Sequence, residues 1–100
     1  MEQPLKGVNI VPEITVTLPP GVGLHARPAA LFVGAAAKSS CDVTIGRPGE
    51  PGVNAKSILG VMGLGAKAGE DMVVTAEGDG ADDLLASLKE ILETPEDGHA

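Results

Sequence analysis

Apolar and polar positions along the chain fall into seven patterned segments, and their period separates strands from helices. Residues 13–18 alternate, with Ile14, Val16 and Leu18 on one face, which predicts a half-buried strand. Pro19, Pro20 and Gly21 end it. An alanine-rich run predicts a first helix from about residue 26 to 39. Residues 41–45 alternate again, and a Gly- and Pro-rich connection over 46–52 leads to a short third strand at 53–55. Ser57 stands as the N-cap of a second, short helix reaching about Leu64, with Gly63 and Gly65 marking its end. Residues 70–77 carry the β-branched core of a fourth strand, Met72 to Ala76. Leu84, Leu85, Leu88, Ile91 and Leu92 then form one helical stripe over about 81–93, with Asp82 and Asp83 at its N-terminus and Pro95 beyond its end.

The order is thus strand, helix, strand, strand, helix, strand, helix. Short alternating strands, with threonines at 15, 17, 44 and 75, suit an antiparallel sheet covered by helices on one face and solvated on the other. The fold class expected is a two-layer α+β domain. Residues 12–94 are expected to form that single domain, between an N-terminal arm over 1–11 and a polar tail over 95–100.

Composition refines this picture. Apolar residues make up 43% of the sequence, yet Phe32 is the only aromatic, so the core has to be assembled from Val, Ile, Leu, Ala and Met. A lone cysteine, Cys41, excludes an internal disulfide and fits a reducing compartment. No apolar run approaches the ~20 residues that span a bilayer, and the start lacks the pattern of a signal peptide. A soluble cytoplasmic protein without direct membrane insertion is expected. His25, His99 and Cys41 make no ligand cluster, so neither metal nor cofactor is expected.

The net charge of −7 is unevenly spread. Residues 1–69 hold six bases and four acids, a balance of +2; residues 70–100 hold one base and ten acids, a balance of −9. Without a basic excess or stacking aromatics, nucleic-acid binding is not expected. The mildly positive part suits docking onto acidic proteins.

That part also contains the candidate chemistry. In Gly23-Leu24-His25-Ala26-Arg27-Pro28 the histidine stands where an extended segment turns into a helix. Pro28 fits the first helical turn, whose amides have no intrahelical partner. One reading is a capping turn with an incidental histidine. The other is an imidazole beside a helix end that attracts anions, with Arg27 offering planar donors to phosphate oxygens. Residue chemistry alone leaves the two open.

Together with Lys56-Ser57-Ile58-Leu59-Gly60-Val61-Met62, this motif resembles the HPr family, phosphocarriers of the bacterial sugar phosphotransferase system. The resemblance spans roughly residues 13–93. It implies an HPr-like open-faced sandwich, βαββαβα, with a four-stranded antiparallel sheet of order 1-4-2-3 and three helices on one face. It also implies a carrier, not an enzyme, whose His25 takes a phosphoryl group at Nδ1 from phosphorylated Enzyme I and passes it to sugar-specific IIA components; a monomer is the default expectation. Arg27 and the backbone amides near Ala26 and Arg27 would bind the phosphoryl oxygens. By the same resemblance Ser57 is a regulatory target of HPr kinase/phosphorylase, and Ile58, Leu59 and Met62 dock partners. The alternative within the fold is an HPr-like carrier of a nitrogen-regulatory or dihydroxyacetone-kinase phosphorelay. A true enzyme using His25 as acid or base is disfavoured, since no triad partner or cofactor motif accompanies it.

Overall fold

The computed structural model describes residues 11–20 and 26–94, and the elements follow the expected order. They are β1 (Glu13–Thr17), α1 (Ala26–Lys38), β2 (Asp42–Gly46), β3 (Val53–Asn54), α2 (Ile58–Gly63), β4 (Asp71–Glu77) and α3 (Ala81–Glu93). The strands form one sheet in the order β1-β4-β2-β3, with every neighbouring pair antiparallel.

The two-residue period sorts the strand side chains between the faces. Val16, Val43, Ile45, Met72, Val74 and Ala76 are buried in a single cluster with the helices. On the opposite face Thr15 and Thr17 are exposed, while Thr44 and Thr75 are half-buried. Thr44 and Thr75 are cross-strand partners whose hydroxyls hydrogen-bond to each other. Thr17 and Asp71 are another such pair, with the Thr17 hydroxyl donating to Asp71 Oδ1 at 2.8 Å.

The helices cover the apolar face in proportion to their length. α1 buries Ala29, Phe32 and Ala36, spaced by three and four residues, and α3 buries Ala81, Leu85, Leu88 and Leu92. α2 contributes only Val61. Gly80 begins α3 with φ 78, a conformation that costs glycine little, and it offers no side-chain cap. Asp82 and Asp83 in the first turn complement the helix dipole instead.

Local hydrogen bonds set the strand ends. β2 begins at Asp42 rather than Cys41, because the Cys41 N–H donates to Ser39 Oγ at 3.3 Å. The Cys41 thiol is buried and donates to the Asp79 carbonyl at 3.3 Å, so it belongs to the core. β1 ends at Thr17, but Leu18 continues its pairing: the Leu18 N–H donates to the Glu70 carbonyl at 2.9 Å, and its carbonyl accepts the Gly69 N–H at 3.0 Å. Arg47, on the connection after β2, makes a two-pronged bond to Glu70, Nε to Oε2 at 2.8 Å and Nη2 to Oε1 at 3.2 Å. That contact, then the Lys67 N–H, holds the Glu70 carboxyl below the ordinary carboxylate range. Among the described residues no helix is long and apolar enough to cross a membrane.

Candidate functional site

α1 starts at Ala26, so position 25 directly precedes a 13-residue helix. His25, Gly23 and Leu24 themselves lie outside the described residues. Arg27 is exposed, Pro28 half-buried and Ala29 fully buried. The burial of Ala29 and of Phe32 one turn later fixes this end of α1 to the core. The first turn contains no acidic residue. No side chain of that turn opposes the positive end of the helix dipole, which favours an anion before Ala26.

The second motif forms the start of α2. Ser57 is the N-cap, and its Oγ accepts the Gly60 N–H at 3.1 Å. The approach to it is fixed by side chains: Asn54 Oδ1 accepts the Lys56 N–H at 2.9 Å, and Lys56 Nζ donates to the Ser39 carbonyl at 3.0 Å. Lys56 thereby ties the start of α2 to the segment just past α1. Ser57→Ala leaves the Gly60 N–H without this acceptor and is expected to cost about 1 kcal/mol of stability, read as a shift in the urea midpoint.

A six-residue helix has one inward stripe, and Val61 occupies it. Ile58, Leu59 and Met62 remain 38%, 82% and 42% exposed, an apolar group on the helix that packs beside α1. Leu31 on α1, half-exposed at 50%, is a further large apolar side chain facing water, and the sequence reading did not single it out. The signal existed: Leu31 falls off the 29, 32, 36 stripe that α1 buries.

A helix end that favours anions thus stands on an open-faced sandwich with an exposed apolar helix packed beside it. The family model "PTS HPr component phosphorylation site" matches residues 12–94. The chain is 49% identical over 85 residues to the phosphocarrier protein HPr of Haloferax volcanii, covering 84% of this chain and 96% of that protein. Among solved structures it superposes on HPr from Bacillus anthracis with TM-score 0.77 and 38% identity, covering 85% of this chain and all of the other. An HPr from Thermoanaerobacter tengcongensis whose crystal structure is a dimer matches with TM-score 0.58 and 41% identity, over 77% of this chain and 91% of its own. The chain belongs to the HPr family, the phosphocarrier proteins of the phosphotransferase system, which are not enzymes in the usual sense.

Proposed function

We propose that this chain relays a phosphoryl group from phosphorylated Enzyme I, through Nδ1 of His25, to sugar-specific IIA components. The carrying observation is the start of α1 immediately after His25, with Arg27 and Pro28 in its first turn and no acid among them. A neutral imidazole nitrogen is a nucleophile near neutral pH, and a positive helix end disfavours the imidazolium that would block attack. As Nδ1 bonds to phosphorus, the bond to Enzyme I breaks; the resulting P–N bond stays reactive enough to be broken again by a IIA nucleophile. The amides near Ala26 and Arg27 and the Arg27 guanidinium stabilise charge on the transferring oxygens. The domain doing this is residues 12–94, flanked by the arm 1–11 and the tail 95–100, and it works as a single copy in the cytoplasm.

Ile58, Leu59 and Met62 form the docking surface for Enzyme I and the IIA components. Leu59→Glu is expected to weaken Enzyme I binding about tenfold or more by calorimetry, with an unchanged circular dichroism spectrum. Ser57 is the regulatory position. A phosphate added there by HPr kinase/phosphorylase places about −1.5 to −2 charge at the edge of that surface, beside the start of α2, and slows transfer.

Incubation with phosphoenolpyruvate and Enzyme I tests the relay. An acid-labile, base-stable phosphate mapping to His25 and passing to a IIA protein supports it. A phosphate found elsewhere, or none, rejects it.

A further inference from the structure

The outer edge of β1 is covered by two α3 side chains. Pairing with β4 employs the backbone groups of even-numbered residues: Leu18 bonds through both N–H and C=O, and the Pro12 carbonyl accepts the Ala76 N–H. The register between these points is unbroken, with Ile14 opposite Val74 and Val16 opposite Met72. In an antiparallel ladder the intervening residues turn their N–H and C=O groups the other way. Those of Glu13, Thr15 and Thr17 therefore face out from the sheet.

Two of these outward groups are taken. Glu93 Oε2 accepts the Thr17 N–H at 3.0 Å, and Lys89 Nζ donates to the Thr15 carbonyl at 3.4 Å. The two side chains, one helical turn apart, also join each other at 2.9 Å. A carboxylate meets the edge donor and an ammonium meets the edge acceptor, which reproduces what an adjacent strand would offer. An ion pair this exposed adds little to stability. Its placement on an edge that invites strand pairing is what gives it a use.

We propose that Lys89 and Glu93 guard β1 against a second copy of this chain, which in their absence pairs its own β1 antiparallel and joins the two sheets edge to edge. The outward residues fix the register of that contact, Thr15 opposite Thr15 and Glu13 opposite Thr17. No like charges face each other there, so nothing in the β1 sequence itself opposes pairing. The ladder needs the Thr15 carbonyl and the Thr17 N–H, the two groups the guard occupies.

Sedimentation velocity from micromolar to millimolar concentration tests this. The parent protein is expected to keep its protomer mass, and Lys89→Ala/Glu93→Ala to approach twice that mass. Adding Thr15→Pro is expected to restore the protomer, because proline there removes an outward N–H and leaves the β4 pairing intact. The proposal fails if the folded double variant stays at protomer mass, if its dimer survives Thr15→Pro, or if the parent already dimerises. Amide exchange in the parent decides the matter should the double variant not fold. The Thr17 amide is expected to exchange at least about tenfold more slowly than the Thr15 amide on the same edge, and equal rates overturn the guard.

Discussion

His25→Ala is expected to take up no phosphate from phosphorylated Enzyme I, a loss on the order of 10⁴-fold or more, because the variant removes the atom proposed to attack. Nothing else in the motif replaces it: Ala26 and Pro28 have no nucleophile, and a guanidinium offers only donors. The measurement is transfer from labelled phosphoenolpyruvate, followed as acid-labile protein-bound phosphate. His99→Ala, which changes the other histidine, should label as the parent does. Residual labelling of His25→Ala at a useful rate would remove the foundation of the relay. The fold should be indifferent to the change, since position 25 precedes α1 and that helix is held to the core by Ala29, Phe32 and Ala36.

The second large effect concerns stability. Phe32 is fully buried and is the one aromatic in a core otherwise made of aliphatic side chains, alanines, a methionine and a thiol. Phe32→Ala opens a cavity in the middle of α1's inner face and is expected to cost about 3–5 kcal/mol. For a domain whose total stability is about 5–15 kcal/mol, that is a large fraction, and the melting temperature should fall by more than about 10 °C. Thermal unfolding followed by far-ultraviolet circular dichroism gives the number. A fall of only a few degrees would mean that the neighbouring helices close over the gap.

Elements with a strong local signal were legible in the chain. The Leu84–Leu92 stripe, a glycine turn before it and paired aspartates in its first turn fix α3 at Ala81–Glu93. Ser57 marks the start of α2 because a hydroxyl at that place has the Gly60 amide to accept. Strand limits were less legible, since alternation does not reveal that Ser39 takes the Cys41 amide and delays β2. Nor does period-two patterning tell which strands are neighbours; the order 1-4-2-3 came from the resemblance, and the structure shows it. A helix of six residues has a single inward stripe, so Ile58, Leu59 and Met62 face out, and the resemblance rather than the period marked them. Leu31 is hard to place because the alanines around it blur the line between the inner and outer faces of α1. Least legible were contacts between distant segments, such as Glu93 with the Thr17 amide, for which pairs of residues far apart in sequence carry no local mark.

The alanines that face inward from α1 have a mechanical consequence. Ala29 and Ala36 present a single methyl each on either side of Phe32, so α1 packs closely beside α3 and α2. A bulkier residue at 29 would push the leading end of α1 away from the core and re-aim its amides without changing any residue from 23 to 28. Carrier speed should therefore track side-chain volume at position 29, whose side chain is fully buried.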